Sequence, residues 1–113
     1  MDFKTKWPLE YRISESARMR EKFLHRIPVI IQPGNKQAPL LDKNKYLVPG
    51  DLSLGEFLFV IRKKIKLGSE QALFGFVGGV LPPISKMIRE IYAEHADPDG
   101  FLYLIYSLEN TFG

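Results

Sequence analysis

No cysteine occurs among the 113 residues of this chain. That absence excludes a disulfide scaffold, a thiolate nucleophile and any cysteine-based zinc site. Histidine is scarce as well. His25 and His95 fall in different predicted elements, with no metal-ligand spacing between them. No dinucleotide fingerprint, phosphate-cradling glycine loop or nucleophile elbow is present. Glu90 and Glu94 stand one helical turn apart and read as a solvated face. Nothing assembles a nucleophile, a base and an oxyanion site, so the expectation is a non-enzyme with no cofactor and no metal. Long hydrophobic runs are missing too. Phe57-Leu58-Phe59-Val60-Ile61 is far shorter than the roughly 20 residues of a membrane helix. No apolar stretch follows Met1-Asp2-Phe3-Lys4, so no secretory signal is expected and the default location is cytoplasmic.

What is present is ordinary in amount and uneven in placement. Hydrophobic residues make up 45% and charged residues 26%, which fits one globular domain with one modest core. The net charge of +3 hides a split: the first 68 residues sum to +7 and the last 45 to −4. Such polarity suits an acidic partner, a phosphate surface or anionic lipid, or else a solvated surface whose charges segregate.

Residues 1–26 read as one or two helices. Arg12 to Arg26 lacks breakers, and Ile13, Ala17, Met19, Phe23 and Leu24 form an apolar stripe of imperfect helical spacing. Arg18, Arg20 and Lys22 would make the outer face basic. Ile27 to Gln32 is β-branched and reads as a strand, with Pro28 suited to its start or to an edge. Lys45 to Val48 is a second strand, predicting an antiparallel hairpin. Ser53 and Glu56 form a capping-box signature ahead of Leu54, Phe57, Leu58, Ile61 and Ile65, with Gly68 a plausible helix stop. Ala72 to Val77 is a third strand, Gly78-Gly79 a hairpin turn and Val80-Leu81 a short return strand. Ser85 to His95 reads as a helix, and Phe101 to Ser107 as a last strand buried on both faces. This order is that of an α+β, ubiquitin-like β-grasp with two additional N-terminal helices, although ferredoxin-like folds share much of it.

Two features suggest binding. The strand at Lys45 to Val48 is short and flanked by lysine, as edge strands often are, and an edge accepts a partner strand. The chain also ends in Glu109-Asn110-Thr111-Phe112-Gly113, a polar tail closing on an unhindered glycine. Arg62-Lys63-Lys64 with Lys66 raises a nucleic-acid reading, but the aromatic residues fall at core-periodic positions and no recognition signature interleaves them with the cations. No nucleic-acid partner is expected.

Six stretches carry a resemblance: Arg26 to Ile30, Asp42 to Pro49, Val60 to Ile65, Leu81-Pro82-Pro83, Asp99 to Tyr103, and Glu109 to Gly113. In order and spacing the sequence resembles the autophagy ubiquitin-like modifiers, the family that includes GABARAP and the microtubule-associated-protein light chains. The resemblance implies one ubiquitin-like domain: a helical region at 1–26, a β-grasp core at 27–108 and a conjugation tail at 109–113. It implies exposure of Gly113 by a cysteine protease, then activating and conjugating enzymes that pass its carboxyl to the amine of phosphatidylethanolamine. Phe112 and Thr111 would help those enzymes grip the tail, and the chain reads as the glycine-exposed form. An unconjugated adaptor that keeps only the docking surface is the alternative.

The same resemblance implies docking of aromatic-x-x-aliphatic motifs from cargo receptors and autophagy factors. The motif strand would add to Lys45–Leu47. Its aromatic side chain would meet Glu15, Met19, Pro28, Ile30, Lys45, Leu47 and Phe101. Its aliphatic side chain would meet Tyr46, Val48, Pro49, Leu52, Phe57 and Val60. Arg26, Lys43 and Lys64 would meet flanking acidic residues. The implied location is cytoplasmic, and the autophagosomal membrane once lipidated. Trp7-Pro8, Gly78-Gly79, Leu108 and the loop at Pro33-Gly34 depart from the family pattern.

Overall fold

A computed structural model describes residues 2–109. The chain runs α1 (Phe3–Lys6), α2 (Leu9–Lys22), β1 (Arg26–Pro33), β2 (Lys45–Pro49), α3 (Leu54–Lys64), β3 (Phe74–Phe76), α4 (Ile88–His95) and β4 (Leu102–Ser107). The sheet order is β2-β1-β4-β3. β1 pairs antiparallel with β2 and parallel with β4, and β3 pairs antiparallel with β4. This is the expected β-grasp: a mixed sheet whose two central strands come from the start and the end of the core.

Strand alternation sends side chains to two different layers. Val29, Ile31, Val48, Leu102, Leu104 and Tyr106 face α3 and α4, where Leu54, Phe57, Ile61, Ile88 and Ile91 complete the larger core. Ile30, Phe101, Leu47 and Tyr103 face the other way and pack with Phe3, Trp7, Tyr11 and Met19 of the N-terminal helices. Covering on both sides explains why β1 and β4 are so uniformly apolar. The Ser53–Glu56 capping box forms as expected: the Ser53 hydroxyl accepts from Glu56 N–H at 3.1 Å, and the Glu56 carboxylate accepts from Ser53 N–H at 2.9 Å.

Several boundaries differ from the sequence expectation. Val80-Leu81 forms no return strand; a single bridge joins Val77 to Val80. Gly78 and Gly79 both take positive φ, at 59° and 80°, so the tight turn itself forms. Beyond it the chain is used elsewhere. Leu54 N–H donates to Lys86 C=O at 2.8 Å, and Gly55 N–H donates to Ile84 C=O at 2.9 Å. Segment 84–86 thus satisfies donors left open at the start of α3, and α4 begins at Ile88 instead of Ser85. α3 ends at Lys64, before Gly68, and Lys66 takes the left-handed conformation at φ 56°. β3 is shorter than 72–77.

The largest correction concerns α2. It starts at Leu9, on Pro8, and ends at Lys22 instead of reaching Arg26. Its predicted apolar stripe is mostly in solvent: Ile13 is 46% exposed and Leu24, just past the helix, 81%. The buried positions are Glu15, Ser16 and Met19.

Polar contacts dock this helix. Asp99 is buried, and its Oδ2 accepts from the Arg12 guanidinium at 2.8 Å and from the Tyr103 hydroxyl at 2.5 Å. Its Oδ1 accepts from Phe101 N–H at 2.9 Å, and its backbone carbonyl accepts from the Ser16 hydroxyl at 2.5 Å. Gly100 follows at φ 93°, where a Cβ would collide with Ser16. Burial, and donation to the Asp99 carboxylate, push the Tyr103 hydroxyl well above its ordinary pKa. Asp99→Asn leaves Arg12 without its counter-charge and is expected to lower stability by about 2–4 kcal/mol in urea unfolding.

Candidate functional site

β2 is an edge strand, and the phase of its pairing is defined. Ile31 N–H donates to Asn44 C=O at 2.8 Å, and Gly50 N–H donates to His25 C=O at 3.1 Å. Alternate residues of an antiparallel pair turn their backbone groups inward. The inward set on β2 is therefore Tyr46 and Val48, opposite Val29 and Ile27. Pro28, which has no N–H, falls opposite Leu47 at a non-bonded position. Lys45 and Leu47 consequently turn their N–H and C=O groups to the open edge. The exposed Arg26 guanidinium reaches Leu47 C=O at 3.4 Å.

Beside this edge lies a cavity of about 420 Å³ between α2 and β2. Met19 and Leu47 give it apolar surface, and Arg18, Lys22, Lys43 and Lys45 ring it with cations. Ile30 and Phe101 lie fully buried in the same cluster as Met19. Phe3 packs edge-on against Phe101, with ring centroids 5.3 Å apart. Glu15 joins the two walls. It accepts from Arg18 Nε and Nη2, both at 2.9 Å, and pairs with Lys45 of β2. The bonds from Arg18, then that from Lys45, hold its carboxyl down at a pKa of about 2, against an ordinary 4.5.

Of the residues expected around the aliphatic side chain, four pack together. Val48 and Phe57 are buried in the larger core, with Tyr46 and Leu52 packed against it. Tyr46 meets Phe57 edge-on at 6.3 Å. Pro49 is half-buried at the end of β2, and Val60 is exposed. The Lys43 and Lys64 ammonium groups stand 5.4 Å and 5.8 Å from the centre of the Tyr46 ring. A second cavity of about 300 Å³ opens between Leu41, Asp42, Lys43, Tyr46 and Lys64.

A model of the family described as "Autophagy protein Atg8 ubiquitin like" matches residues 11–113. This chain belongs to the Atg8 family. Autophagy-related protein 8a of Arabidopsis thaliana is 56% identical over 112 residues, covering 98% of this chain and 92% of the relative. The crystal structure of Trypanosoma brucei ATG8 superposes with a TM-score of 0.91 at 39% identity, covering 100% of this chain and 98% of that one. Plasmodium falciparum Atg8, solved in complex with a peptide of Plasmodium falciparum Atg3, gives a TM-score of 0.88 at 32% identity, covering 97% and 98%.

For this Atg8-family chain, the sequence reading missed Arg18, Lys22 and Phe23 as cavity-lining residues. In the sequence they stand out only as part of a basic helix face and an apolar stripe. The signal available was the spacing of Arg18 three residues after Glu15, the neighbour distance on a helix. Gly113, Phe112 and Thr111 lie outside the described residues. Among the described residues, no cluster of metal-ligating side chains occurs and no helix is long and apolar enough to cross a membrane.

The depressed Glu15 pKa has a defined sign. Below 4.5 the unfolded chain takes up a proton that the folded chain refuses until about pH 2. The stability contributed by Glu15 is therefore complete above that range and is lost as pH falls through it. In Glu15→Gln, the urea-unfolding midpoint is expected to fall less steeply between those two pH values than in the parent chain.

Proposed function

We propose that this chain is a ubiquitin-like modifier of autophagy, conjugated through the Gly113 carboxyl to phosphatidylethanolamine. In the same reading, its β2 edge docks aromatic-x-x-aliphatic motifs of cargo receptors and autophagy factors. The observation that carries the docking reading is the open Lys45 and Leu47 backbone edge beside an apolar cavity ringed by cations.

Each part of that arrangement has a task. Outward N–H and C=O groups add a peptide strand by ladder hydrogen bonds. The motif's aromatic ring enters between α2 and β2, over Met19 and Leu47, with Glu15, Pro28, Lys45, Ile30 and Phe101 shaping the walls and floor. The aliphatic side chain rests among Tyr46, Val48, Pro49, Leu52, Phe57 and Val60. Ring burial supplies most of the affinity, while Arg26, Lys43 and Lys64 attract flanking acidic residues and supply rate and selectivity. Leu47→Ala is expected to weaken a short motif peptide by about 1–3 kcal/mol in calorimetric titration. Unchanged affinity would place the peptide elsewhere. Phe101 is a poorer probe because it is fully buried and its truncation also removes core packing.

The conjugation reading rests on the resemblance of the Glu109–Gly113 tail. The glycine carboxylate attacks the α-phosphorus of ATP and pyrophosphate leaves. A cysteine of the activating enzyme displaces AMP to form a thioester, the conjugating enzyme's cysteine takes the acyl group by thioester exchange, and the lipid amine displaces that thiol to form the amide. Every thiol is the partners', in keeping with a chain that contains none. The Atg3 peptide bound by the Plasmodium relative supports a conjugating enzyme as one partner, and a cysteine protease exposes the glycine. The location is then cytoplasmic before lipidation and the autophagosomal membrane after it. Gly113→Ala is expected to abolish the membrane-associated form in cell fractionation. Unchanged recruitment would leave an unconjugated adaptor instead.

A further inference from the structure

A third cavity lies at the opposite end of the sheet from Ser107, the last residue of β4. It measures about 510 Å³ and is lined by Leu24, His25, Arg26, Pro49, Asp51 and Arg89, among others. Gly50 fixes its geometry. Gly50 N–H donates to His25 C=O at 3.1 Å, and Gly50 C=O accepts from Arg89 N–H at 2.9 Å. A Cβ on Gly50 would lie 3.2 Å from the Arg89 Cβ. The start of β1, the end of β2 and the first turn of α4 are thus held together, and they bring three basic side chains to one concavity.

Those side chains are uncommitted. Among the described residues, the ion pairs engage neither His25, Arg26 nor Arg89. Arg26 makes only its long contact to Leu47 C=O. Asp51 is the single carboxylate in the lining, so the cleft carries an excess of positive charge.

We propose that this cleft receives an acidic peptide segment lying C-terminal to a docked aromatic-x-x-aliphatic motif. The proposal rests on the docking reading above and adds His25 and Arg89 to it. In that reading the aromatic residue sits beside Lys45 and Leu47 and the aliphatic residue beside Val48 and Pro49. The bound strand therefore runs in the same direction as β2. Its continuation passes Pro49, whose sheet partner is Arg26, and arrives at Gly50. At roughly 3.3 Å per extended residue, the two or three residues after the aliphatic position reach the cleft. A carboxylate there meets Arg26 from one wall and Arg89 from the other.

Calorimetry at low salt with three peptides tests this: a core motif, the same motif with a C-terminal Asp-Glu-Asp-Glu extension, and one with a neutral Ser-Gly extension. The acidic extension is expected to tighten binding to the parent chain by about three- to tenfold over the neutral one. Arg89→Gln should reduce that gain to below about twofold, and Arg89→Glu should reverse it, with core-motif affinity unchanged in both. Arg89 is exposed, so both variants are expected to fold. Equal binding of the acidic and neutral peptides overturns the proposal and leaves the docking reading standing. Failure of the core motif to bind sinks the docking reading, and this site with it. Co-sedimentation with anionic lipid vesicles that Arg89→Gln abolishes, without any gain for the acidic peptide, assigns the cleft to membranes and also overturns the proposal.

Discussion

The buried carboxylate of Asp99 is the constraint on which the two-layered arrangement depends. One side chain satisfies Arg12 of α2, Tyr103 of β4 and the backbone of Phe101, while its carbonyl holds Ser16. Without α2 against the sheet, Ile30 and Phe101 would face water and the cavity beside β2 would lose a wall. Burying a charge is costly unless it is paired and fully hydrogen-bonded, and here it is both. The apolar contacts of Phe3 and Met19 supply area, whereas the Asp99 contacts fix which face of the helix is turned inward.

That distinction explains what was legible in the sequence. The four strands that form, the capping box, the central position of the last strand and the edge position of β2 follow from local periodicity and turn chemistry, whereas the return strand that the same signals predict at Val80-Leu81 does not form. The inward face of α2 does not. Arg12 and Ser16 find Asp99 at separations of 87 and 83 residues, so no local window links them. Helical periodicity selected Ile13, Ala17 and Leu24, which are exposed, because it weighs apolar residues alone. The buried Glu15 and Ser16 carry no signal on that scale. The late start of α4 has a similar cause: segment 84–86 is occupied at the N-terminus of α3, a contact invisible along the chain. At the candidate site, the strand edge and its flanking lysines were readable, whereas Arg18 and Phe23 emerged only once α2 was seated beside β2.

The uneven charge along the chain also has a structural reading. Part of it is internal complementarity: Lys4 pairs with Asp97 and Arg12 with Asp99, each a basic residue of the first half on an acidic residue of the second. The acidic loop before β4 is the receptor for the basic N-terminal helices. The cations around the β2 cavity and in the cleft at Arg89 lie outside those two pairs, on surfaces contributed largely by the more basic half.

The parallel pairing of β1 and β4 has a consequence for orientation. Val29 lies beside Leu102 and Pro33 beside Tyr106, so the last strand leaves the sheet at the Pro33 end. Arg26, at the other end of β1, is roughly 23 Å away at the rise of an extended strand. Ser107 and Arg26 therefore lie at opposite ends of the sheet. Groups engaged near Ser107 and near Arg26 are held apart by the length of β1, with the two central strands as the spacer.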